Sequence, residues 1–192
     1  MSISMTGRAI GAVTEIIRNN LLNLWQSSIL PPPDVTIGRP ETSPGAPPIQ
    51  PPRLNLFLYE LKLDPFLRNI SLGPARPPPL WIVAKYLLTS FDSHGESDTA
   101  EALRYLGEGM RILASLNTIP IENGPLPELE ENPELLRLTI EDVGVEQLSH
   151  IMQGPDQRYR SSAGFEVRPI LIAPSGLPAY SLLVGIDYTK DP

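Results

Sequence analysis

From Arg8 to about Trp25, apolar residues recur at three- and four-residue steps: Ile10, Val13, Ile17, Leu21 and Leu24. Arg8, Glu15, Arg18, Asn19 and Asn23 fall elsewhere on the wheel, so the stretch predicts an amphipathic helix. Its stripe either packs on its own domain or docks on a neighbouring subunit, because a long connector follows. That connector, Pro31 to Arg53, reads PPPDVTIGRPETSPGAPPIQPPR. Prolines this dense disfavour helix and interior strand, and predict an extended, semi-rigid tether.

Beyond it the period changes from 3.6 to two. In Leu54 to Leu61, Leu54, Leu56 and Leu58 share one face, while Asn55, Phe57 and Tyr59 share the other. Leu80 to Phe91 is expected to be a second strand, rich in aromatic and β-branched residues and preceded by Pro77, Pro78 and Pro79, with a buried helix the alternative that periodicity leaves open at this length. Asp98 with Glu101 resembles a capping box and opens a helix running to about Asn117, with Leu103, Leu106, Met110 and Leu113 as its inward stripe. Thr118 to Pro133 is an acidic, proline-broken connector. Leu135 to Glu141 alternates as a third strand, and a short helix runs from Asp142 or Gly144 to about Met152.

The longest strand signal is Arg158 to Ala173, RYRSSAGFEVRPILIA. Ala163, Phe165, Val167 and Leu171 are expected on one face, and Glu166, Arg168, Ile170 and Ile172 on the other. Pro169 removes a ladder donor, so the strand is expected to be unpaired or bulged there. A final, less regular strand is expected from Ala179 to Tyr188. These elements predict an α/β (α+β) domain: a mixed, largely antiparallel sheet of about four to five strands covered by helices. The chain divides by composition into an amphipathic helix (1–30), a proline-rich linker (31–53) and an α/β domain (54–192).

Composition narrows the function classes. The 192 residues carry a net charge of -7 and no run of adjacent Lys or Arg, which argues against a nucleic-acid partner. There is no cysteine, so disulfides and zinc–thiolate sites are excluded. No apolar run approaches the roughly 18 residues a bilayer span needs, and no signal-peptide pattern opens the chain, so a soluble protein without direct membrane insertion is expected.

Candidate chemistry is sparse. Asp92, His94, Glu96 and Asp98 mix imidazole with carboxylates that a divalent ion accepts, but helix capping explains the same loop. No nucleophile elbow, P-loop or dinucleotide fingerprint occurs. No catalytic residue, metal site or cofactor is therefore expected, and the protein is not expected to be an enzyme. A metal-dependent hydrolase built on Asp92 to Asp98 is the weaker alternative.

Four blocks in order carry a family resemblance: LNLFLYELKLDPFLRN, RPPPLWIVAKYLLTSF, AEALRYLGEGMRILASLNTIPI and LRLTIEDVGVEQLSHIMQGPDQRYRSSAGFEVRPILIAP. Together they resemble the N-terminal domain of cap, or tail-terminator, proteins of extracellular contractile injection systems, phage-tail-like particles of the antifeeding-prophage type. The resemblance implies a ring, six copies in such caps, on the last layer of inner tube and sheath. That ring ends polymerisation and ties sheath to tube, so the implied partners are further copies of the chain, the sheath protein and the inner tube protein. It also implies assembly in the cytoplasm and residence in a particle that is released or stays in the cytosol. A baseplate or membrane-linking adaptor of the same particle is the alternative role. Two departures stand out: His150-Ile151-Met152 where related caps carry tryptophan or a similar residue, and an end at Pro192 where some relatives continue into a further domain. The expected interface residues are Arg158, Tyr159, Arg160, Glu166 and Arg168, with Tyr180, Leu182 and Val184 on the last strand as a candidate sheet edge.

Overall fold

The computed structural model describes residues 6–40, 51–70, 72, 78–119, 128–129, 132, 135–153 and 159–174. After a 3-10 turn at Thr6–Arg8 come α1 (Ala9–Trp25), β1 (Asp34–Ile37), β2 (Arg53–Leu63), β3 (Leu80–Phe91), α2 (Ala100–Ser115), β4 (Arg137–Glu141), α3 (Val145–Ile151) and β5 (Ser162–Ile172). The strands form one sheet in the order β1-β2-β3-β5-β4, antiparallel except for the parallel β1–β2 pair. The expected strand Ala179 to Tyr188 lies outside the described residues.

β3 is the centre. Its predicted bounds are the observed ones, and all but its first residue and Lys85 are buried. Leu54, Leu56, Tyr86, Leu88, Ala163, Phe165 and Val167 pack on one side of the sheet beneath α1 and α2. One near-parallel ring stack joins the two helices, Trp25 on Tyr105 at 5.7 Å, and another joins two strands, Tyr86 on Phe165 at 5.2 Å, each worth about 1 kcal/mol beyond its buried area. Burial pushes the Tyr86 phenol up to about 12, against the lowering effect of its 2.9 Å hydrogen bond with Thr14. Tyr86 is therefore neutral at physiological pH and joins α1 to the sheet.

The stripe of α1 packs on its own domain: Ala9, Val13, Ile17, Leu21 and Trp25 are all in the core. Trp25 fills the place expected for Leu24 and donates its indole N–H to the carbonyls of Leu30 and Pro31, at 3.2 and 3.0 Å. The proline-rich connector holds a strand that was not expected. β1 pairs over Asp34 to Ile37 with Arg53 to Leu56, and Val35 is buried in the same core. It is an edge strand in a proline-free gap, and Arg18 of α1 donates to the Val35 carbonyl at 2.9 Å. One core thus takes residues from 1–30, from 31–53 and from 54 onward.

α2 is rotated from its expected stripe. Ala102, Tyr105, Leu106, Gly109, Ile112 and Leu113 are buried, whereas Leu103 is 47% exposed. Its N-cap is Thr99, whose hydroxyl accepts from the Ala102 N–H at 3.2 Å, in place of the expected Asp98. Helices meet the sheet closely where Cβ atoms are missing: a Cβ on Gly109 would sit 2.8 Å from a Leu88 methyl.

The face assignment of β5 is corrected by one feature. Opposite the single residue Val83, β5 places two, Arg168 and Pro169, so a bulge interrupts the ladder where the proline required one. The extra residue inverts the alternation. Ile170 and Ile172 rejoin Phe165 and Val167 on the helix side, and Leu171 goes to the opposite side with Trp81. β2 carries a similar extra residue at Tyr59.

Gly164 sits where a Cβ would overlap the Val143 side chain and lie 2.8 Å from the Glu141 carbonyl oxygen. Backbone cannot yield there as a leucine tip can. Gly164→Ala is therefore expected to destabilise the fold by about 2 kcal/mol or more. Gly109→Ala is expected to change it by less than about 1 kcal/mol, because the helix gains what the strained Leu88 contact loses. Urea denaturation of the two variants checks the contrast.

Candidate docking face

The side of the sheet away from α1 and α2 is covered only in part by described residues. At one end α3 places Leu148, Met152 and Ile151 over Leu87, Phe57 and Tyr59. At the other, Asp64 to Ile70 turns back and the Ile70 carbonyl accepts the Trp81 indole N–H at 3.3 Å. Between them lies a strip that the ladder registers define: Tyr59 and Glu60 on β2, Lys85 on β3, Glu166 and Arg168 on β5, Glu141 on β4.

This strip is charged yet half-buried. Lys85 forms an ion pair with Glu141. Arg168 reaches the fully buried Asp64 at 2.8 Å and Glu166 at 3.8 Å, and its guanidinium lies 5.3 Å above the Phe66 ring, which is itself exposed. Burial, followed by the fields of Glu141, Glu60 and Glu166, pushes the Tyr59 phenol up to about 12. Tyr59 thus stays a neutral hydrogen-bonding group among three carboxylates. The strip can accept cationic or hydrogen-bond-donating groups; it holds no nucleophile beside a base.

The expected interface residues separate into distinct places. Glu166 and Arg168 lie on the strip. Tyr159 is 58% exposed at the other end, where it lines a cavity of about 240 Å³ with Ser149, Met152 and Gln153. Arg160 is buried within the chain: it is 4% exposed, its guanidinium 5.7 Å from the centre of the Phe91 ring, and its backbone N–H donates to the Met152 sulfur. Arg53, half-buried, lies over the same ring at 4.2 Å, so the two cations share one aromatic face. Arg158, Tyr180, Leu182 and Val184 lie outside the described residues.

Sequence reasoning missed Lys85, Glu60 and Glu141. Lys85 was the available signal, a lone cation within twelve strand residues.

The Asp92 loop serves the fold. The Asp92 carboxylate accepts from the His94 and Glu96 N–H groups, at 2.8 and 2.9 Å, and from the Thr99 hydroxyl at 2.9 Å. Thr99 in turn caps α2. Burial alone would raise the Asp92 carboxyl; these hydrogen bonds outweigh it and hold it below the usual range. Among the described residues, no group of three or more His, Asp or Glu side chains is placed to hold a metal ion, and no helix is long and apolar enough to cross a membrane.

The Pvc16 N-terminal domain family model matches residues 12–184. The chain belongs to that family. Two solved structures share the fold. One is the sheath/tube terminator of the PVC extracellular contractile injection system in its extended state, with a TM-score of 0.54 and 15% identity, covering 94% of this chain and 64% of that one. The other is the tube-terminating cap of the anti-feeding prophage, with a TM-score of 0.50 and 20% identity, covering 91% of this chain and 60% of that one. This family member therefore spans somewhat less than two thirds of the length of each. No curated protein matches its sequence.

Two outcomes are expected from this geometry. Lys85→Met leaves Glu141 half-buried without its cation and is expected to cost about 1–3 kcal/mol, while Lys85→Met with Glu141→Leu recovers most of it; thermal melts of the three chains decide this. For Asp92, the folded carboxyl titrates below its unfolded value. Its stabilising contribution is complete above about pH 4 and is lost as pH falls through the folded value. Asp92→Asn, which cannot titrate, is expected to lower the Tm at neutral pH and to flatten its fall on acidification.

Proposed function

We propose that the chain is the terminator of a contractile injection particle. It is a structural, non-catalytic protein that forms a ring on the end of the inner tube and sheath, ends their polymerisation and ties one to the other. The observation that carries this reading is the family match over residues 12–184. The shared fold supports it, since a sheath/tube terminator and a tube-terminating cap are among the solved structures of that fold.

The sheet face suits such a role. A net charge of -7 and the carboxylates Glu60, Glu141 and Glu166 favour a basic tube or sheath surface. Apolar Phe66 and Val145 stand exposed at its two ends. A terminator needs binding energy and shape rather than a reactive group, which agrees with a strip of paired charges.

Co-expression with the tube and sheath proteins of the same particle, followed by affinity purification and negative-stain imaging, tests the reading. The chain is expected at one end of the tube, with tubes lengthening in its absence. A chain that never co-purifies with either protein, and whose removal leaves tube length unchanged, overturns it.

A further inference from the structure

The ladder registers set the side chains of the docking face in rows across the sheet. One row runs Glu60, Lys85, Glu166 and alternates in sign. The next runs Lys62, Val83, Arg168, Arg137: the β5 bulge puts Arg168 opposite Val83, and Arg137 of β4 is its partner on the other flank. Register partners share a face, so Lys62, Arg168 and Arg137 stand on the same side of the sheet. The turn after β2 closes on this second row through Phe66, whose ring lies over Arg168, and it carries Arg68 exposed.

The carboxylates of the face each have a cation within the chain. Glu60 pairs with Lys62 at 3.0 Å, Glu141 with Lys85, and Asp64 and Glu166 both with Arg168. Arg68 and Arg137 are left over: both are exposed, and among the described residues neither has an ion pair or a side-chain hydrogen bond. In a chain of net charge -7, the face therefore carries both signs, acidic around Tyr59 and basic around Phe66. Phe66 itself is 78% exposed, yet its turn is fixed. The fully buried Asp64 carboxylate accepts from the Phe66 N–H at 2.9 Å and pairs with Arg168, and the Asp64 carbonyl accepts the Arg68 N–H at 3.1 Å. An exposed aromatic ring held ready beside arginines is the composition of a binding hot spot, with its ordering cost already met in folding.

We infer that the Phe66 end of the sheet docks an acidic, partly apolar segment of a partner protein, which sets an aliphatic side chain on the Phe66 ring and carboxylates on Arg68 and Arg137. The inference rests on the terminator reading for the partner, tube or sheath, and deepens it by giving the matching patch a chemistry. Charge complementarity selects that chemistry. Two guanidiniums without partners gain charge-assisted hydrogen bonds to carboxylates and have no ion pair of their own to break. A nucleic acid fits less well, because its run of phosphates would also meet Glu60 and Glu166 in the neighbouring row. A bilayer fits less well too, because insertion would lift Phe66 off the guanidinium that its ring covers.

Charge reversal on the full chain tests this. Arg68→Glu and Arg137→Glu change exposed residues, so each is expected to keep the native Tm. Each is expected to lower co-purification with the tube and sheath proteins about tenfold, the equivalent of one charge-assisted hydrogen bond. Arg104→Glu makes the same change on the exposed side of α2 and is expected to leave capture intact. Equal capture by the native chain and both reversals, or an equal loss from Arg104→Glu, overturns the inference and leaves the terminator reading standing. With equal capture, sedimentation with phosphatidylglycerol vesicles that Arg137→Glu abolishes assigns this end to a lipid surface instead. If the native chain captures neither tube nor sheath, the terminator reading falls and a fluorescent ten-residue peptide alternating Glu and Leu scores the site by anisotropy. Binding that Arg137→Glu weakens about tenfold sustains the docking site; no binding, or equal binding of a Lys–Leu peptide, overturns it.

Discussion

A central strand buried on both sides obliges the rest of the chain to cover it twice. β3 is that strand, and its single half-buried charge, Lys85, marks where the second cover is thinnest. On the first side, α1 and α2 pack over the sheet and close the main core. On the second, α3 and the turn after β2 cover the two ends. The middle is completed by ion pairs, Lys85 with Glu141 and Arg168 with Asp64, whose charges stabilise each other where water reaches poorly. The strip proposed to meet the particle is thus the part of the sheet that the described residues leave uncovered.

The two extra residues, at Tyr59 in β2 and around Pro169 in β5, decide what each side presents. Without the β5 bulge, a strict alternation would turn Ile170 toward the charged strip and Leu171 toward the helices. With it, both ends of β5 keep their aliphatic residues beneath α1, while Arg168 stays opposite Arg137 and beside Asp64. In β2 the extra residue keeps Glu60 on the face of Tyr59, opposite Lys85, and returns Leu61 and Leu63 to the face of Leu58. Each bulge re-aims a few side chains at the cost of a local break in the ladder.

Much of this architecture was legible in the residues. β3 is bracketed by Pro79 and Asp92, and its aromatic and β-branched content favoured a strand, although periodicity alone left a buried helix open. α1 was clear from its period, as was the shared face of Leu54, Leu56 and Leu58; Pro169 signalled either a bulge or an unpaired stretch, and the structure has the bulge. Other features depend on partners distant in sequence. β1 is hidden by the prolines around it and exists because β2 and Arg18 take up its backbone groups. The turn of α2 follows Tyr105, which stacks on Trp25, and no period within the helix prefers that over Leu103. Arg160 looked like a surface cation because nothing near it in sequence shows the Phe91 ring it lies beside. Within the candidate strip, Glu166 and Arg168 were anticipated, but the neighbours that give them meaning come from three other strands.

The first described residue is bonded to nearly the last. The Ala173 N–H donates to the Thr6 hydroxyl at 2.8 Å, across 167 positions of sequence, and β5 inserts between β3 and β4 instead of adding at an edge. Synthesis runs from the N-terminus, so α1 emerges long before the strand it must lie across. Until residue 172 has left the ribosome, β3 lacks a neighbour on one flank and the amphipathic stripe of α1 has half a platform. Contacts this distant in sequence make for slow folding. The sheet gains its final order only when β5 has been made, and little of it can assemble before then.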